Sequence, residues 1–189
     1  MNIFKKWIRE FLSLFVFIRF KNIWNLYDYL YKNKKLSGIC ASCFTHYCDT
    51  HGSYIGIGAT LKGTPYLPHG LNGIFISDNA VIGKNCVIFQ NVTIGSSMTV
   101  GSDHNGSPVV GDNCYIGAGA KIVGNIHVGN NCRIGANAVV YKDVPDNSVV
   151  VMSKTRIITK EEKLDNRFIK KVGNDELYYD FDTKSFKKL

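Results

Sequence analysis

From Ile76 to about Pro145 the apolar positions of the chain recur every six residues. One run opens at Ile76, Ile82, Ile88 and Ile94. A second opens at Val110 and continues through Ile116, Ile122, Val128, Ile134 and Val140. Four residues after every opener but Ile94 stands a small or β-branched residue, such as Ala80, Cys86, Ala120 or Ala138, and glycine follows several openers directly (Gly83, Gly95, Gly111, Gly117, Gly129, Gly135). A helix does not place a period of six on one face, because its repeat is 3.6. A six-residue unit reads instead as a short strand and a tight turn. Three such units close a triangular coil, and openers stack on openers at the roughly 4.8 Å spacing of neighbouring strands. The opener fills the interior, the small residue fits the corner, and glycine is expected to allow the bend. The pattern predicts a mainly β protein, a parallel β-helix.

The register breaks once. Sixteen residues separate Ile94 from Val110, which is no multiple of six, so GSSMTVGSDHNGSP (95–108) must leave the coil as a loop. A loop that interrupts a strict repeat is a place to look for function.

The flanks differ in texture. Residues 3–35 carry no Pro or Gly and read as helix, until Ser37-Gly38 punctuates the chain. We therefore divide it into an N-terminal helical segment (1–38), a β-helix domain (39–152, with 39–75 as its transitional entry) and a C-terminal tail (153–189) in which Tyr178, Tyr179 and Phe181 supply some apolar surface.

At 189 residues, 45% hydrophobic and 20% charged, the chain fits one globular domain with extensions. The formal charge of +8 is concentrated at one end. Residues 1–35 hold eight basic residues against Glu10 and Asp28, a basis for meeting an anionic surface or for a solvated helix face. No zinc-finger or RNP-like motif accompanies the charge, so nucleic acid is not the expected partner. The apolar stretch Phe11–Ile18 is too short to span a bilayer, and Arg19-Phe20-Lys21 follows it where a cleavage site would have small residues. The expectation is a cytoplasmic protein, with 1–35 as a peripheral membrane contact or a subunit-packing segment.

Of six cysteines, Cys86, Cys114 and Cys132 occupy the small inward position of the repeat and read as structural thiols. Cys40, Cys43 and Cys48 lie near His46 and His51, but their spacing matches no standard zinc module, and no metal is expected.

The string PHGLNGIFIS, followed by AVIGKNCVIFQNVTIG, resembles the serine acetyltransferases and the related enzymes that O-acetylate bacterial surface sugars. The resemblance covers roughly residues 54–152. It implies a left-handed β-helix of hexapeptide repeats, acetyl-CoA as acetyl donor, direct transfer to a hydroxyl, and a homotrimer with sites between neighbouring prisms. By position it makes His69 the general base. A neutral imidazole suits that role, since a hydroxyl attacks a thioester poorly until its proton is taken. His104 in the loop becomes an acceptor contact or a rival base, with Asp103 beside it. A backbone N–H near Gly95 or Ser96 is expected to stabilise the oxyanion. Ala118 and Ala136, eighteen residues apart on one face, match the positions that line the CoA arm. Lys142, Lys154 and Arg156 would meet its phosphates.

Three departures bear on the acceptor. The carboxylates that family members place directly before the base and fifteen residues upstream are Pro68 and Tyr54 here. The partner that orients His69 is then a backbone carbonyl, Tyr54, or a residue the sequence does not name. The family's Arg-His pair is not reproduced in GSDHNGSP, and the large helical domain is reduced to about 45 residues. These differences favour the neutral hydroxyl of a sugar, a surface glycan or its precursor, as acceptor. Serine O-acetyltransferase and a non-catalytic scaffold or binding member of the fold are the alternatives.

Overall fold

A computed structural model of the chain describes residues 16, 18–34, 38–100, 103–152, 169–172, 174–180 and 182–188. Helices α1 (Ile23–Lys32) and α2 (Ile39–Thr50) come first. Then follow β1 (Tyr54–Ile55), β2 (Thr60–Leu61), β3 (Phe75–Ile76), β4 (Val81–Ile82), β5 (Val87–Ile88), β6 (Thr93–Gly95) and β7 (Val109–Val110). The coil continues with β8 (Tyr115–Ile116), β9 (Lys121–Val123), β10 (His127–Val128), β11 (Arg133–Ile134), β12 (Val139–Val140) and β13 (Val149–Val150).

All these strands pair in parallel. Face one stacks β1-β3-β6-β9-β12, face two β2-β4-β7-β10, and face three β5-β8-β11-β13, with Tyr66 bridged to Val87. The order is that of a triangular prism wound coil on coil. Every opener named above is buried, none more than 4% exposed, and all lie in one continuous core. The small residues four positions later are buried as well.

The transitional entry over 39–75 holds helix α2, and the coil starts at Tyr54. The six-residue register nevertheless reaches back past Ile76, since Ile55 and Leu61 occupy the inward position of the first coil.

One expectation is corrected, and it concerns the bends. The glycine after each opener does not make them. Asn85, Asn91, Asn113, Asn131, Asn137 and Asn147 do, with φ between 55° and 60°, the left-handed region that asparagine tolerates best after glycine. The post-opener glycine clears the next coil: a Cβ on Gly83 would lie 2.4 Å from the Gly111 backbone, and one on Gly117 2.7 Å from the amide of Ala136. The bend asparagines of one corner also form a ladder. Asn85 Nδ2 donates to Asn113 Oδ1 (3.1 Å), Asn113 Nδ2 to Asn131 Oδ1 (3.2 Å) and Asn131 Nδ2 to Asn147 Oδ1 (3.0 Å).

The helices close the first coil. Leu26, Tyr27 and Leu30 of α1 pack with Phe44 and Cys48 of α2 against Ile55 and Ala59. The Tyr27 hydroxyl donates to the Ala59 carbonyl at 2.6 Å, and burial pushes its pKa above the usual phenol value. Among the described residues no helix is long and apolar enough to cross a membrane.

Residues 154–189 form a second compact unit. Its described part is an antiparallel meander of β14 (Ile169–Val172), β15 (Asp175–Asp180) and β16 (Ser185–Lys188). Lys187–Asp180 (2.5 Å) and Lys188–Asp175 (2.6 Å) pair across β15 and β16.

Candidate active site

The edge where face three turns into face one carries a column in register. The amide of Asn91 donates to the carbonyl of Asn72 (3.0 Å), that of Gly119 to Gln90 (3.0 Å), and that of Asn137 to Ala118 (2.8 Å). Asn72, Gln90, Ala118 and Ala136 therefore stand one above another at about the 4.8 Å strand spacing.

His69 joins this column through an excursion. Nine residues separate Tyr66 from Phe75 where six would complete the unit, so PHG and its neighbours swing outward. The exposed imidazole is held on two sides. Its Nδ1 lies 2.6 Å from Oε1 of Gln90, and its ring meets Phe89 edge-on at 5.5 Å and 86°. Asn72 Nδ2 fixes the turn by donating to the His69 carbonyl at 2.5 Å. Phe89 continues into Tyr115 (5.0 Å), and Arg133 lies over the Tyr115 ring at 6.0 Å. An aromatic wall thus runs from the imidazole along face three.

Ala118 and Ala136 share the edge with His69, one and two coils beyond Gln90. Ala136 is exposed and Ala118 half-buried. Nothing larger than a methyl group projects from either, so a thin flexible arm has room to lie against the backbone there. Sequence reasoning missed two residues at this edge. Gln90 was hidden because the excursion shifts it 21 positions from His69, off the eighteen-residue coil period. Lys121, on the outer side of face one, reaches back so that its Nζ donates to the Asn91 carbonyl (2.7 Å), placing a cation one residue from Gln90.

Other expected residues lie elsewhere. Gly95 ends β6 and Ser96 follows it, at the opposite edge of face one, the length of the strand away from Gln90, on the order of 15 Å. The Gly95 carbonyl accepts from Gly124, and Ser96 Oγ bonds Ser107 Oγ at 2.7 Å. Within one chain they are not brought to His69. The loop leaves at that far edge as a hairpin closed by two bonds between Ser97 and Gly106 (2.9 and 3.0 Å). It carries Asp103 and His104, both exposed, and the His104 carbonyl accepts from Asn125 (2.9 Å).

Tyr54 is not the partner of His69. It stacks on Phe75 (5.0 Å) and donates its hydroxyl to Asp78 Oδ2 at 2.6 Å. That bond to a carboxylate, aided by burial, raises its pKa to about 12. Lys142 is exposed over the Tyr141 ring, just past β12 at the far edge, away from the alanine column. Lys154 and Arg156 lie outside the described residues.

The cysteines are structural in their surroundings. Cys86, Cys114 and Cys132 donate to the carbonyls of Gly111 (3.3 Å), Gly129 (3.2 Å) and Pro145 (3.2 Å) inside one corner. Cys43 and Cys48 are buried on α2, where burial pushes the Cys48 thiol up to about 12. Among the described residues no three His, Cys, Asp or Glu converge on one point.

The prism and its repeat define a left-handed β-helix of the hexapeptide class. Residues 107–142 match the family described as bacterial transferase hexapeptide (six repeats). Solved structures of similar fold include serine acetyltransferases. Isoform 3 from Entamoeba histolytica, in complex with cysteine, is 29% identical, with a TM-score of 0.61 over 74% of this chain and 50% of its own. The Neisseria gonorrhoeae protein, in complex with serine, is 30% identical, with a TM-score of 0.59 over 71% of this chain and 55% of its own. The soybean apoenzyme is 29% identical, with a TM-score of 0.59 over 72% and 56%. The chain spans about half the length of these structures. No curated protein matches it. The chain thus carries the hexapeptide-repeat left-handed β-helix and is similar to the serine acetyltransferases.

Proposed function

We propose that the chain is an acetyl-CoA-dependent O-acetyltransferase with His69 as general base. The observation that carries this is the shared edge: a clamped, exposed imidazole in one column with Ala118 and Ala136. The pantetheine arm would lie along the alanines and bring its thioester to His69. The imidazole takes the acceptor hydroxyl's proton as the oxygen attacks the thioester carbonyl. The tetrahedral intermediate then collapses to the acetyl ester, and the departing CoA sulfur takes the proton back from the imidazolium.

For the acceptor, the comparisons support L-serine over the sugar hydroxyl that the loop composition favours. The Lys121 ammonium, a residue from Gln90, suits a carboxylate. L-serine therefore heads the assay. A sugar hydroxyl is the second reading. The loop offers no arginine, and the Phe89–Tyr115 wall suits the apolar face of a sugar ring.

The oxyanion donors and His104 stand across face one from His69, so this reading takes the complete site to lie between copies in a trimer, with the loop of one prism reaching the His69 edge of the next. Thiol release from acetyl-CoA with L-serine, and with a panel of nucleotide sugars, tests the activity. His69→Ala is expected to lower turnover at least about 100-fold while CoA still binds. Undiminished turnover would remove His69 from the chemistry, and no turnover with any hydroxyl acceptor would favour the non-catalytic reading.

A further inference from the structure

The structure assigns Gln90 as the positioning residue that sets the tautomer of His69, an inference that rests on the acyl-transfer reading above. Nδ1 of His69 and Oε1 of Gln90 are 2.6 Å apart. An amide oxygen only accepts, so Nδ1 carries the proton and donates it. That leaves the Nε2 lone pair free to receive a proton from a hydroxyl. Pro68 directly precedes His69 and offers no side-chain acceptor, and the Tyr54 hydroxyl is bonded to Asp78. The groups packed on His69, namely Gln90, Phe89 and Asn72, are uncharged. The charges nearby are both cationic, the Lys121 ammonium on the Asn91 carbonyl and Arg133 along the aromatic wall beyond Phe89 and Tyr115, so neither is a counter-ion for an imidazolium. The site therefore orients its base with a neutral dipole, which fixes the ring without an ionic partner for the imidazolium.

Gln90 is suited to being tested. Its backbone carbonyl, not its side chain, accepts the Gly119 amide that stacks the next coil. Replacing the side chain leaves that bond in place.

The experiment compares full-length wild type, Q90M, Q90E and H69A. Long-range 1H–15N spectra report which imidazole nitrogen is protonated, and the His69 signals are those missing from H69A. Turnover is followed with acetyl-CoA and L-serine or the responding nucleotide sugar. The wild type is expected to show Nδ1–H. In Q90M the tautomers mix and kcat falls roughly 10- to 100-fold, with KM for acetyl-CoA unchanged. In Q90E, which keeps an acceptor, Nδ1–H persists and activity returns. There the acidic limb of kcat/KM moves to higher pH, because a carboxylate favours the imidazolium. A Q90M protein with the wild-type spectrum and rate overturns the assignment. So does loss of both in Q90E, which would mean that the amide NH2 group had been donating. If H69A turns over like wild type, the base assignment fails instead. That failure is recognisable because Q90M would then change the spectrum and not the rate.

Discussion

Ala136 stands directly one coil above Ala118, tied to it by the bond from the Asn137 amide to the Ala118 carbonyl at 2.8 Å. Small side chains at two successive levels of an edge leave a shallow track, and the track ends at the Gln90–His69 pair. Ala136 is exposed, so a large side chain there would fill the track without entering the core. Ala136→Trp is expected to raise KM for acetyl-CoA at least about tenfold while the melting temperature stays within a few degrees of wild type. Steady-state kinetics beside a thermal melt check this. An unchanged KM would move the donor to another edge.

The bond from Tyr54 to Asp78 gives a stability that depends on pH. The carboxylate holds the phenol protonated, raising its value from 10.0 to about 12. A group raised in the folded state adds stability that is complete below its unfolded value and lost as pH rises through its folded value. The window is thus from about pH 10 to pH 12. Tyr54→Phe is expected to cost about 1 kcal/mol below that window, the scale of one partly exposed hydrogen bond to a charged group. The gap between the two proteins should narrow as pH climbs through it. Urea melts at pH 8, 10 and 11.5 check this, and a gap independent of pH would refute it.

Asn113 separates two requirements of the prism. It adopts φ 56° and sits mid-ladder between Asn85 and Asn131. Asn113→Gly keeps the backbone conformation and loses only the exposed ladder bonds, so it should cost about 1 kcal/mol or less. Asn113→Ala loses the bonds and forces a side chain into the left-handed region, adding roughly 1–2 kcal/mol. Denaturant midpoints for the two variants should fall in that order. Equal or reversed midpoints would show that the left-handed conformation at Asn113 is not what selects asparagine there.

These residues also show what the sequence makes legible. The interior is readable because burial repeats: Ile116 stacks with Ile134 and Ile122 with Val140, by a rule of six that each copy restates. The loop was readable as a break in that rule. The bends were misassigned because glycine and asparagine both occur near each corner, and only backbone angles tell which one turns the chain. Gln90 was illegible because its partner sits on a three-residue excursion, which destroys the count that would have aligned them. The family resemblance offers Tyr54 as a partner for the base, but its hydroxyl is taken by Asp78. Long-range register is visible in a repeat, whereas contacts made by departures from it are not.

The separation of His69 from the loop yields the last prediction. If one copy supplies the imidazole and its neighbour the loop, two differently crippled chains should repair each other. The first is His69→Ala. The second has residues 98–105 replaced by Asn-Gly, a two-residue turn that suits the doubly bonded Ser97–Gly106 pair. Each alone is expected to be inactive. In a mixed trimer, an intact imidazole from a loop-deleted chain can face an intact loop from a His69→Ala chain. With equal amounts and random assembly, about one quarter of the interfaces pair that way, so activity should return to roughly a quarter of wild type. The signal requires subunit exchange, so the chains are mixed in denaturant and refolded together, with mixing after separate refolding as the control. If the site were built within one chain, no ratio would restore activity, and a loop-deleted protein of full activity would show that the hairpin takes no part in the reaction.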